Sequence, residues 1–146
     1  MIDEQIRKAE SGGDGYIGVK INSLTDKLII EKLIAASQAG VTIELEVRGI
    51  CCLKPGVEGY TDNIRVVSVV GRFLEHSRIY RFGRGEGQKI YIASADFMTR
   101  NTTRRVEVAA PVLDKHCQER IIHIFDLIMN DDEKGKEQDC NGIYRD

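Results

Sequence analysis

An α/β fold, a mixed β-sheet flanked by helices in a single domain, is predicted by three features of this 146-residue sequence. Residues 16–22 (YIGVKIN) and 41–47 (VTIELEV) alternate apolar and polar side chains and bracket a helical pattern, which makes a βαβ unit with parallel strands and a right-handed crossover. Residues 64–70 (IRVVSVV) form a nearly continuous apolar run, suited to a strand inside a sheet. Residues 76–82 and 89–94 are joined by Gly83-Arg84-Gly85-Glu86-Gly87, a hairpin that adds antiparallel pairing to the same sheet.

Taken in order, residues 1–15 carry a short helical pattern (Ile2, Ile6, Ala9) that breaks at Ser11-Gly12-Gly13, a partial helix and linker expected to begin upstream of Met1. Thr25 or Asp26 can cap the next helix, whose apolar positions Ile29, Ile30, Leu33 and Ile34 recur at helical spacing until Gly40 ends it. Residues 50–63, with Pro55-Gly56, Gly59 and Asp62-Asn63, read as a long functional loop. A polar loop is expected over 95–103 and a last strand over 105–109, ended by Pro111. Residues 112–130 then suggest a helix with a stripe of Leu113, Cys117, Ile121, Ile124 and Ile128. The domain proper is expected to cover 16–130, leaving 131–146 as a loose, truncated acidic tail.

An apolar content of 42% with 30% charged residues suits a soluble globular domain large enough to bury a core. No basic-then-apolar leader precedes the first strand, and no apolar run reaches the ~18 residues of a membrane span, so a cytoplasmic protein is expected. The four cysteines show neither CxxC nor CxxH spacing and are expected to be buried or inert thiols. The net charge of −2 hides a division: between Arg65 and Arg105 nine Lys or Arg face three acids, a balance of +6 between acidic flanks. A basic centre points to an anionic ligand, and the acidic flanks argue against long nucleic acid.

Within that centre, His76-Ser77-Arg78 is the leading site candidate. On an extended segment His76 and Arg78 share one face. Imidazole can exchange a proton near neutral pH or bond a phosphate oxygen, and guanidinium grips phosphate with a permanent charge. A histidine alone is more often structural, but His76 is accompanied by Arg78, by Arg48 at the carboxyl end of a strand, and by the arginines around Asn101, with Arg104 and Arg105 on opposite faces. Ser94 and Asp96 share a side if their strand persists, where the carboxylate could orient a ring or cap a turn. The Gly83/Gly85/Gly87 run is read as a hairpin turn in preference to a phosphate nest, and His116 and His123, seven residues apart, as surface residues. No carboxylate cluster suits Mg²⁺.

INSLTD (21–26), ASQAGV (36–41), VRGICCLKPGV (47–57), NIRVVSVVGRFLEHSRIY (63–80), YIASADFMTRN (91–101) and RRVEVAAPV (104–112) closely resemble the carboxy-terminal region of bacterial polyphosphate kinases, in order and over nearly the whole chain. The resemblance implies a phospholipase D-like fold, the last of two such domains. It implies an enzyme that reversibly moves the terminal phosphate of ATP onto inorganic polyphosphate through a phosphohistidine in a preceding domain, so that this chain alone would be inactive. By position, Arg48, His76 and Arg105 match residues that contact ATP, with Arg78, Ser94, Asp96 and Asn101 around them. The resemblance further implies Mg²⁺ with its ligands outside this chain, ATP or ADP and polyphosphate as partners, the preceding domains, a homo-oligomer, and a bacterial cytoplasmic enzyme that can sit peripherally at the membrane. The phospholipase D signature is degenerate: Arg78 stands for its Lys, Gly83 for its Asp and ASAD (93–96) for GSxN, which disfavours phosphodiesterase activity. The alternatives are a homodimeric phospholipase D-like phosphodiesterase, with two His76 facing, and a non-catalytic polyanion-binding module.

Overall fold

The computed structural model describes residues 1–69, 78–93, 109–131 and 135–145. The chain runs α1 (Ile2–Glu10), β1 (Tyr16–Ile21), α2 (Lys27–Gln38), β2 (Thr42–Val47), β3 (Ile64–Val69), β4 (Arg78–Phe82), β5 (Lys89–Ala93), β6 (Ala109–Pro111), α3 (Lys115–Met129), β7 (Gly135–Gln138) and β8 (Tyr144–Arg145). The eight strands of the described residues join one mixed sheet in the order β6-β5-β4-β1-β2-β3-β7-β8. β1, β2 and β3 are parallel, and β4 lies antiparallel against β1. The expected βαβ unit and the β4–β5 hairpin are both present.

Alternation along β1 explains the layers. Ile17, Val19 and Ile21 stand opposite Ile43, Leu45 and Val47 of β2, and this face packs on Leu33 and Ala36 of α2 and on Ile2 of α1. Truncating a side chain as enclosed as Leu33 to alanine costs about 2–5 kcal/mol. Asp26, not Thr25, caps α2: its carboxylate accepts from the Ile29 N–H at 3.1 Å. Past the helix Gly40 has φ +98°, a left-handed conformation that disfavours other residues. The opposite face of β1 presents Tyr16, Gly18 and Lys20 toward α3. A Cβ on Gly18 would meet the Tyr16 hydroxyl at 2.8 Å and the Phe125 ring at 3.0 Å, so only glycine lets α3 dock there.

Several expectations are corrected. α3 starts at Lys115 behind an Asp114 cap and buries Phe125 and Met129, while Leu113 is 83% and Ile124 49% exposed and Cys117 is also exposed. The helix carries two adjacent apolar stripes, and the sheet selects the one that brings the Phe125 ring to Arg81 and Tyr16. β6 includes Pro111 instead of ending before it, which is possible because an exposed edge strand can forgo a donor. The rest of the predicted strand, 105–108, lies outside the described residues.

The expected loose tail instead contains β7 and β8, which extend the sheet beyond β3. Asp139 organises their turn by accepting from the Asn141 and Ile143 N–H groups and from Arg145 Nε, each at 2.9 Å. The Ile143 N–H first, then Arg145, hold its carboxyl below the usual carboxylate range. Three of the four thiols expected to be buried or inert, at Cys52, Cys117 and Cys140, are exposed, and all four are free. Cys51 is half-buried, and burial pushes its thiol above the ordinary value.

Candidate functional site

Five strand ends meet at one edge of the sheet. β1, β2 and β3 finish there at Ile21, Val47 and Val69, β4 enters at Arg78, and β5 leaves at Ala93, the partner of Arg78. Ligands of α/β sheets gather outside the carboxyl ends of parallel strands. Arg48 follows β2 directly, and Arg78 opens β4 with β1 between them, so their backbones stand two strand spacings, about 10 Å, apart. Both are half-buried. Arg48, expected at a strand's carboxyl end, thus shares this edge with Arg78, which was expected beside His76 within a strand. His76, two residues before Arg78, lies outside the described residues, as do Ser94, Asp96, Asn101 and Arg105.

Arg48 is held by its main chain. Its N–H donates to the Ile21 carbonyl at 3.2 Å, and the next residue, Gly49, donates to the Asn22 carbonyl at 2.7 Å. The Ser68 hydroxyl of β3 donates to the Arg48 carbonyl at 3.5 Å, a long bond. Beyond it, Leu24 and Cys51 form a parallel bridge, with the Leu24 N–H on the Ile50 carbonyl at 2.8 Å and the Cys52 N–H on the Leu24 carbonyl at 2.9 Å. The start of the expected loop is thus stitched to the segment after β1. Its remainder is tied internally, the Thr61 hydroxyl donating to the Lys54 carbonyl and accepting from the Val57 N–H, both at 2.8 Å.

Beneath this edge lie two charges that the sequence reading passed over. Lys20 and Glu46 are register partners on β1 and β2, only 4% and 3% exposed, and Glu46 accepts from the Val69 N–H at 3.5 Å. In an alternating strand they look like outward, solvated positions. The βαβ pattern itself was the missed signal, because a sheet covered on both faces buries both sides of its inner strands.

At the opposite edge the arginines are committed to the fold. Arg81, 3% exposed, lies 4.9 Å from the Tyr16 ring centre and 5.0 Å from that of Phe125, and bonds Asp126 at 3.1 Å. Arg84 also lies over Tyr16, at 4.5 Å, and grips both oxygens of Asp14 at 2.8 and 3.2 Å. The Arg84 hydrogen bond holds the Asp14 carboxyl below its usual range. Burial, first, pushes the Tyr16 hydroxyl far above its ordinary value, and it donates to Glu44 at 2.9 Å. Arg65 faces Glu137 at 3.2 Å and Glu44 at 3.8 Å, and Lys89 meets Glu4 at 3.1 Å. Four members of the basic centre are therefore matched to acids outside the central segment, Arg65 to Glu44 and Glu137, Arg81 to Asp126, Arg84 to Asp14 and Lys89 to Glu4, so the centre is less available to a ligand than its count implied.

His116 and His123 are exposed on α3, as expected of surface residues. Gly83, Gly85 and Gly87 all have positive φ (82°, 70° and 79°) and form the hairpin turn. Among the described residues no group of three His, Cys, Asp or Glu could hold a metal ion, and no helix is long and apolar enough to cross a membrane.

Residues 1–146 match the family described as polyphosphate kinase C-terminal domain 2. The chain belongs to that family. It is 54% identical over 143 residues to the polyphosphate kinase of Staphylococcus epidermidis and 55% over 144 residues to that of Bacillus cereus, covering 98% and 99% of this chain. It spans only 20% of either relative. The crystal structure of polyphosphate kinase from Porphyromonas gingivalis superposes with a TM-score of 0.94 at 42% identity, covering 98% of this chain and 22% of that one. The phospholipase D family member Nuc from Salmonella typhimurium superposes at 0.65 with 15% identity, covering 94% and 90%, a likeness of fold alone. The expected phospholipase D-like α/β architecture is thereby established for this family member.

Proposed function

We propose that this chain acts within a longer polyphosphate kinase, bringing charged groups to ATP and inorganic polyphosphate during reversible transfer of the terminal phosphate of ATP. A histidine elsewhere in the polypeptide attacks that phosphorus and releases ADP, and the phosphohistidine then passes the group to the end of a polyphosphate chain. Arg48 and Arg105 neutralise charge on phosphate oxygens, Arg78 adds a second grip, and His76 bonds or protonates an oxygen in transfer. Ser94, Asp96 and Asn101 orient these groups. Mg²⁺ comes with the nucleotide or is held by another domain of the full enzyme. The preceding domains and further copies of the enzyme are its partners, in the bacterial cytoplasm or peripherally at the membrane.

The observation that carries this reading is the family match over the whole chain, joined to the placing of Arg48 and Arg78 at one carboxyl edge. The decisive measurement follows phosphate from ATP into polyphosphate. The isolated chain is expected to show no transfer but to bind ATP or polyphosphate, more weakly after His76→Ala. Robust turnover by this chain alone overturns the proposal.

A further inference from the structure

Gly49 is exposed and is not among the glycines with positive φ, so no left-handed conformation reserves the position for glycine. At such a position alanine ordinarily stabilises a protein slightly, by narrowing the unfolded ensemble. Contact argues the other way. A Cβ on Gly49 would sit 2.9 Å from the Asn22 carbonyl oxygen and 3.4 Å from Ser23 Oγ. Asn22 has no room to retreat as a flexible side chain would, because the atom in question is main chain following β1. The peptide joining Arg48 to Gly49 would have to move away instead, lengthening the 2.7 Å bond from the Gly49 N–H and disturbing the 3.2 Å bond that seats Arg48 on Ile21.

We propose that Gly49 is a positioning residue: its missing side chain lets this peptide close against Asn22 and so fixes where Arg48 presents its guanidinium to substrate phosphate. Ser68 has the same role from the other side, through its bond to the Arg48 carbonyl. The inference rests on the phosphate-binding role proposed above for Arg48. Two strands, one on each side of β2, thus set the direction of a single cation. Preorganisation of this kind matters because a charge already in place needs no rearrangement when phosphate arrives.

The test uses full-length polyphosphate kinase containing this chain, with ATP-dependent polyphosphate synthesis followed for wild type, Gly49→Ala, Arg48→Ala and the double variant. Gly49→Ala is expected to lower kcat/KM for ATP about 10–100-fold, the scale of a small misplacement in an active site. Combined with Arg48→Ala it should add nothing, because its effect passes through the side chain already removed. Ser68→Ala should lower kcat/KM about 2–10-fold in wild type, the worth of one neutral hydrogen bond, and nothing further in Arg48→Ala.

A Gly49→Ala enzyme within about twofold of wild type overturns the proposal, as does a full further loss in the double variant. If Arg48→Ala is itself within about twofold of wild type, the phosphate-binding role fails and the positioning role with it. A large Arg48→Ala loss beside an unaffected Gly49→Ala overturns positioning alone. Should Gly49→Ala not fold, the Ser68→Ala cycle decides by the same criteria.

Discussion

At the amino edge of β1, Arg81 and Arg84 bracket the Tyr16 ring and end on Asp126 and Asp14, whereas at the carboxyl edge Arg48 and Arg78 stand where strands stop and start. The first pair is fixed through its side chains by rings and carboxylates. Arg48 is fixed through its main chain, by carbonyls and a hydroxyl of neighbouring strands. An arginine seated in the first way works as mortar between α3 and the sheet. One seated in the second way keeps its backbone in place when its side chain changes partner, which suits the phosphate-binding role proposed for it.

The comparison can be broken at Arg81. Arg81→Ala removes a buried cation from between two rings and deprives Asp126 of its partner, so it should cost about 3–5 kcal/mol in denaturant unfolding. Arg48→Ala should cost less in the same assay, because the main-chain bonds that seat it remain. Equal losses at the two positions would make Arg48 structural and erase the contrast. Arg84→Ala comes last, at a few tenths of a kcal/mol or about 0.5, because its ion pair with Asp14 is largely exposed and salt screens it.

Acid sharpens that last case. The Asp14 carboxyl is lowered in the folded chain from its ordinary value near 3.8, so the pair stabilises fully above that pH and is lost as pH falls through the lower folded value. Wild type and Arg84→Ala should therefore converge in stability below pH 3.8, measured by unfolding across a pH series.

Strands β1 to β5 were legible because alternation and glycine turns are local signals that the tertiary fold does not contradict. The Asp26 cap was legible to within one residue. The buried face of α3 was not, because Cys117, Ile121, Ile124 and Ile128 recur at helical spacing as well as Ile122, Phe125 and Met129 do, and only the sheet opposite decides between them. A polar strand such as β7 carries no apolar alternation, and its pairing with β8 depends on a turn built by Asp139, so the tail read as loose. The role of Arg81 was hidden for a related reason. A buried arginine differs from a solvated one only in neighbours that sequence order does not reveal, here Tyr16 and Phe125. Arg48 was placed correctly at a strand's carboxyl end, while the company expected for it at His76 falls outside the described residues.

Among the described residues the sheet ends at β6, which contains Pro111, on one side and at β8, which contains Arg145, on the other. Proline withholds a donor and a charge resists being covered, so neither margin is a good template for another chain to add a strand. At these two described strands the backbone is thereby guarded against strand addition along it.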